Sequence, residues 1–173
     1  MKLLWLWLLL GLAVPVVAQP ARILLIRHGE KPEGRADPRL AAAGRERAQR
    51  WVGYFTASPL RTPTVLFAPQ PTKGRRSVRP IETLEPLAKA MHQKVKTPFA
   101  SEDYAKLAHQ LLTDPELNGK IVAVCWVHHS LPQFAAALGV EPAPARWKES
   151  DYDGVYEVTF EDGKPRLAVT HAE

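Results

Sequence analysis

Ile23-Leu24-Leu25-Ile26-Arg27-His28-Gly29-Glu30-Lys31 is the stretch that decides the fold. Its four apolar residues run without a break between Arg22 and Arg27. A strand with one wet face alternates apolar and polar residues. An unbroken apolar run fits a strand buried on both faces, as in a parallel sheet. In open α/β sheets, ligands gather beyond the carboxyl ends of the strands, so Arg27 and His28 fall where a ligand would bind. Gly29 lets the backbone turn there with no side chain in the way.

Outward from this strand, the pattern turns helical over 38–54, with Leu40, Ala43, Ala48, Trp51 and Val52 as the apolar face. Residues 65–68 read as a second strand, followed by a polar loop at 69–76. Ser77 is the expected N-cap of a helix reaching about Met91, which Pro86 is expected to kink or interrupt. A short strand is expected at 94–98, and Ser101-Glu102-Asp103-Tyr104 opens a further helix. Residues 121–127 make the clearest strand, and 131–138 a helix with Pro132 in its first turn and Gly139 at its stop. Residues 155–160 and 167–170 read as strands joined by a hairpin turn at 161–164. Strands alternating with helices predict a three-layer α/β domain, with a mostly parallel central sheet flanked by helices.

The N-terminal segment reads differently. Lys2 is followed by an apolar run over 3–17 that ends Val16-Val17-Ala18. The run is shorter than the about 20 residues of a spanning helix. A basic start, an apolar middle and a small residue at the end mark a secretory signal peptide. Cleavage is expected after Ala18, leaving 19–173 as one domain, exported to the periplasm or the exterior without stable membrane anchoring. An uncleaved anchor is the alternative.

Composition narrows the chemistry. The chain has 173 residues, enough for one domain, and carries one cysteine. Cys125 therefore has no disulfide partner in the chain, and cysteine-rich zinc sites and iron–sulfur clusters are excluded. The net charge of +5 could serve nucleic acid, an anionic surface or a phosphorylated substrate. The basic cluster at 73–79 is short and lacks interleaved stacking aromatics, which argues against nucleic acid.

Three groups of residues fall at ends of expected strands: Arg27-His28, then Ser77-Val78-Arg79-Pro80-Ile81-Glu82-Thr83, then Trp126-Val127-His128-His129-Ser130-Leu131-Pro132. Each supplies a side chain able to grip or attack a phosphoryl group. His128 and His129 have no nearby third ligand, so no metal site is expected. Alternation along the strand, if it persists this far, puts these two side chains on opposite sides.

These motifs resemble those of the histidine phosphatase superfamily, also called phosphoglycerate-mutase-like. Leu25-Ile26-Arg27-His28-Gly29-Glu30 is similar to its arginine–histidine–glycine signature, and Arg79-Pro80-Ile81-Glu82-Thr83-Leu84 to its second-arginine motif. His128 stands where the family places its second histidine, and the spacing from 128 to Leu131-Pro132 favours it over His129. Leu40 through Gly44 to Arg47-Ala48, and the ending from Trp147 to Tyr156, also fit.

The resemblance implies a phosphoglycerate-mutase-like fold and a phosphatase that hydrolyses a phosphate monoester or a phosphoamidate. His28 would be the nucleophile, forming a phosphohistidine. Arg27, Arg79 and His128 would bind the phosphoryl oxygens, with no metal or cofactor. The substrate would be a phosphorylated small molecule or a phosphoprotein. The proton donor is not fixed by the motifs, because His129 and not an acid adjoins His128. Glu82 and Asp103 are the candidates, with Glu85 and Glu102 nearby. Lys31 and Arg35 are either substrate contacts or a solvated loop. A non-catalytic phospholigand-binding module is the alternative reading. A phosphomutase is less favoured at this length.

Overall fold

A computed structural model describes residues 19–34 and 37–172. The expected signal segment and Arg35 lie outside the described residues. In chain order the elements are β1 (Arg22–Arg27), α1 (Ala42–Thr56), β2 (Val65–Phe67), α2 (Arg79–Ala90), β3 (Val95–Lys96), α3 (Tyr104–Thr113), β4 (Ile121–Trp126), α4 (Leu131–Ala137), β5 (Gly154–Glu161) and β6 (Lys164–His171). Short 3-10 turns occupy Ser101–Asp103, Pro115–Leu117 and His128–Ser130.

The described strands form one sheet in the order β3-β2-β4-β1-β5-β6. The pairings from β3 through β1 are parallel, and β5 and β6 add an antiparallel edge. β1 and β4 are central, and each is buried along nearly its whole length. Alternate residues of β1 serve two cores. Ile23 and Leu25 pack on one face with Leu107, Leu111 and Phe134 from α3 and α4. Leu24 and Ile26 pack on the other with Trp51, Phe55, Leu84 and Leu87 from α1 and α2. The apolar run at 23–26 is continuous because both faces are covered. Each such side chain stabilises the fold by about 1.5–3 kcal/mol on full burial.

Several local expectations change. α1 begins at Ala42 rather than Pro38, because the preceding backbone is held elsewhere: Leu40 N–H donates to Glu82 Oε2 and Ala41 N–H to the Glu30 carbonyl. The buried stripe of α1 is Gly44, Ala48, Trp51 and Phe55, while Ala43 is exposed. Ser77 does not cap α2. The helix starts at Arg79, with Val78 at the N-cap position and no side-chain cap. Pro86 does not break it, and the helix runs on to Ala90. The hairpin is as expected: Asp162 and Gly163 form the turn between Glu161 and Lys164, both with positive φ (51° and 75°), which a two-residue primed turn requires.

Candidate active site

β1 and β4 pair in parallel register with Arg27 opposite Trp126. The segments leaving their carboxyl ends are therefore neighbours, and His28 N–H continues the ladder to the Trp126 carbonyl at 3.3 Å. The start of α2 is fastened to the same place. Gly29 N–H donates to Thr83 Oγ1 at 2.9 Å, and that hydroxyl donates to the Arg79 carbonyl at 2.8 Å. Three stretches distant in sequence thus meet at one sheet edge.

Gly29 is needed for a different reason from the turn expected. Its φ is not among the positive values. Instead, a Cβ on Gly29 would stand 2.8 Å from the Gly44 carbonyl oxygen, and one on Gly44 would stand 2.5 Å from that of Glu30. The loop after β1 rests directly on the backbone of α1, and only paired glycines allow that approach.

His28 is buried, and its Nδ1 lies 2.7 Å from the Gly29 carbonyl oxygen. A carbonyl only accepts, so Nδ1 carries the proton and Nε2 keeps its lone pair. Burial pushes the His28 pKa down to about 4, opposed by the Gly29 bond and reinforced by the charges of Arg27, Arg79 and His128. The same interactions show that these four groups share one electrostatic neighbourhood. The ring is a neutral, oriented imidazole at neutral pH.

Arg27 is also buried, and burial lowers its pKa from the usual arginine value. One terminal nitrogen donates to the carbonyls of Glu149 and Asp151, and the guanidinium carbon lies 3.8 Å from the centre of the Tyr152 ring. Its Nε is buried without a hydrogen-bond partner among the described residues. A fixed guanidinium with a donor to spare is suited to an anion oxygen. Arg79 uses Nε on the Arg39 carbonyl at 3.0 Å and one terminal nitrogen on that of Asp37 at 2.5 Å. Its other terminal nitrogen makes no hydrogen bond among the described residues.

His128 and His129 separate for a reason other than strand alternation. β4 ends at Trp126, and the two histidines lie in a 3-10 turn, where successive side chains diverge by about 120°. His128 is half-buried beside Glu149, with Nε2 3.9 Å from Oε1. Burial and the Arg27 charge push its pKa down to about 4, with His129 and Lys31 adding to this and Glu149 opposing. His129 is exposed, and its pKa is lowered by burial of part of the ring and by the charge of Arg75. Lys31 shares a cleft with Glu30, Arg79 and Tyr152.

The candidate proton donors are placed otherwise. Glu82 gives one carboxylate oxygen to Arg39 at 3.1 Å and the other to the Leu40 N–H at 2.7 Å, so it fastens α2 to the loop before α1. Asp103 pairs with Lys106 at 2.8 Å at the start of α3. Glu85 is exposed, and Glu102 pairs with Arg75. Among the described residues, none of these carboxylates hydrogen-bonds or ion-pairs with His28 or His128.

The segment over 147–153, which the sequence places only within the resemblance from Trp147 to Tyr156, supplies contacts that sequence reading does not give. Glu149, Asp151 and Tyr152 cover Arg27, and Arg47 ties that cover down by pairing with both Glu30 and Asp153. Burial raises the Glu30 carboxyl and is the largest single influence, but the Arg47 hydrogen bonds, a backbone hydrogen bond and the charges of Arg47 and Arg50 together hold the group below its ordinary value. The clustered Trp147, Glu149, Asp151 and Tyr152 were the available signal. Their target becomes visible only once β5 is seen to lie beside β1. Among the described residues, no group of three or more His, Cys, Asp or Glu is gathered to hold a metal.

The described chain has the phosphoglycerate-mutase-like fold, a mostly parallel six-stranded sheet flanked by helices. An Escherichia coli protein provisionally identified as an alpha-ribazole-5'-P phosphatase superposes with a TM-score of 0.65 at 15% identity, over 88% of this chain and 97% of that one. The Entamoeba histolytica phosphoserine phosphatase gives 0.60 at 16% identity, over 88% and 96%. The protein histidine phosphatase SixA, solved with tungstate, gives 0.55 at 13% identity, over 87% and 97%. No protein-family model and no curated relative matches the sequence.

Proposed function

We propose that the protein is an exported phosphatase of the histidine phosphatase superfamily, hydrolysing a phosphate monoester or phosphoamidate through a phosphohistidine. The observation that carries this reading is the neutral His28 ring, with Nδ1 committed to the Gly29 carbonyl, next to the buried Arg27 with its unpartnered Nε. His28 and Arg27 are consecutive residues at the carboxyl end of β1, and the Arg27 charge acts on the His28 ring. His28 Nε2 attacks phosphorus, the bond to the leaving group breaks, and water then cleaves the phosphohistidine. Arg27 and Arg79 take the charge spread over the transferring oxygens, and His128 adds a donor as that charge shifts. The solved structures that share the fold include phosphatases, which supports the reaction class.

Glu149 is the acid we assign to the leaving group, because its carboxylate is placed beside a site histidine whereas those of Glu82 and Asp103 are committed elsewhere. It is exposed and held loosely. That arrangement suits a leaving group needing little help, such as the nitrogen of a phosphoamidate.

The test is turnover of an aryl phosphate by the wild type and by His28→Ala. The expected result is turnover lost in the variant, with a phosphohistidine trapped on the wild type by rapid acid quench. Equal turnover in both proteins would falsify the assignment of the nucleophile. Phosphate binding without turnover would favour the non-catalytic module. Export is tested separately by N-terminal sequencing of the secreted protein, with Gln19 expected as the first residue.

A further inference from the structure

The phosphatase reading leaves one built feature unused. Beside the start of α2 lies a cavity of about 400 Å3, within the size range of small-molecule sites. Its walls include Gln70, Arg75, Arg76, Ser77, Arg79 and Val127. Arg79 also lines the cleft that holds Lys31 and Tyr152, so the two spaces meet at the arginine assigned to the phosphoryl group.

The lining is cationic. Arg75, Arg76 and Arg79 face one lining carboxylate, Asp37, which accepts the Arg39 N–H at 2.8 Å. Arg75 pairs through Nε with Glu102 at 3.4 Å, which leaves its terminal nitrogens as donors. That pair is exposed on both sides, and such pairs hold weakly. Ser77 Oγ is buried there without a hydrogen-bond partner among the described residues. That hydroxyl is closed off from the open space, so the donors offered to a ligand are those of the arginines. Neither arginine of the loop nor Ser77 has a role in the chemistry at His28.

We infer that this cavity takes a second anionic group, phosphate or carboxylate, on a small substrate whose other end presents its phosphoryl group to His28. The inference rests on the phosphatase reading for that other end. It makes the substrate class a doubly anionic metabolite rather than a simple phosphate monoester.

Two matched pairs of compounds test it. Fructose 1,6-bisphosphate and fructose 6-phosphate differ by a phosphate in place of a hydroxyl. 3-Phosphoglycerate and glycerol 3-phosphate differ by a carboxylate in place of a hydroxymethyl group. Binding is measured by calorimetry on the His28→Ala protein at low ionic strength, and turnover on the wild type. In at least one pair the doubly anionic member should bind about tenfold more tightly, an advantage that added salt weakens. The favoured pair tells phosphate from carboxylate. Arg75→Ala combined with Arg76→Ala should abolish the advantage while leaving the affinity for inorganic phosphate unchanged, which also reports an intact fold. Affinities equal within each pair, or an advantage surviving in the double variant, overturn the inference. Turnover without the advantage would sink the cavity assignment alone. The advantage without turnover by the wild type would sink the phosphatase reading and leave the cavity assignment standing.

Discussion

The two histidines that follow β1 and β4 stand at the same end of the sheet and are held in opposite ways. His28 is sealed in: it is 6% exposed, its Nδ1 is fixed by the Gly29 carbonyl, and Thr83 and Gly44 immobilise the backbone around it. His128 sits in a 3-10 turn with 19% of its side chain exposed, and its nearest acid, Glu149, is 3.9 Å away and itself mostly in solvent. One strand end is built for orientation and the other for adjustable charge. A nucleophile needs a fixed lone pair before the reaction begins, whereas a group that meets developing charge needs only to reach it.

That contrast predicts unequal losses. His28→Ala should lower kcat/KM on the order of 10^4-fold or more, since it removes the proposed attacking atom. His128→Ala removes one donor among several and should cost on the order of 10²-fold. Comparable losses in steady-state assays would break the contrast. Arg27→Lys keeps the charge but loses the fork that donates to the Glu149 and Asp151 carbonyls and stacks on Tyr152. It should cost about 10²–10³-fold, mostly in kcat. A loss confined to KM would mean that Arg27 only gathers substrate.

Glu149→Gln sharpens the comparison from the β4 side. If this carboxyl protonates the leaving group, an alkyl phosphate should lose about 10²-fold in kcat. A phosphoamidate should be nearly unaffected, because its basic nitrogen takes its proton from solvent before the P–N bond breaks and leaves as the neutral amine or imidazole. Equal losses on both substrates would show that Glu149 acts by positioning His128 or Arg27. The two substrates can be compared on one preparation, so instability of the variant would lower both alike.

The same division explains what was legible in the sequence. The 23–26 run and the 121–126 strand are readable because both faces of each are buried, and their ends put Arg27, His28 and the His128-His129 pair at one side of the sheet, whereas preferring His128 over His129 took the family resemblance. The start of α1 was misread because Glu82 and Arg79, some 40 residues on, hold the preceding backbone away from the helix. No local pattern carries such a contact. Ser77 reads as a cap by residue type, yet it lies in the wall of a cavity assembled from four separate stretches of chain. The cover over Arg27 needed the sheet order, since β5 brings 147–153 to the site from beyond the other side of β1. Glu82 stood within the recognised motif, and its structural use became visible only from its partners at Arg39 and Leu40.

Titration offers the smallest and most direct probe of the comparison. Both histidines are depressed to about 4, His28 by burial first and then by Arg27, Arg79 and His128, and His128 by burial first and then by Arg27. An ordinary histidine titrates near 6.5. The folded protein therefore binds fewer protons than the unfolded chain between about pH 4 and 6.5. Stability contributed by these groups is fully present above about pH 6.5 and declines as pH falls towards 4. For His28, which is deeply buried, the decline amounts to about 3 kcal/mol at most. Imidazole NMR should show both rings neutral at pH 5.5, where an unperturbed histidine would be about nine-tenths protonated. Bound inorganic phosphate should raise the His128 midpoint more than that of His28, because His128 can turn to pair with the anion whereas His28 already has Nδ1 committed to Gly29. Equal upward shifts would mean that the two rings are equally free to respond. A midpoint near 6.5 for His28 in the phosphate-free protein would mean that the ring is hydrated, and that burial does not supply its neutral lone pair.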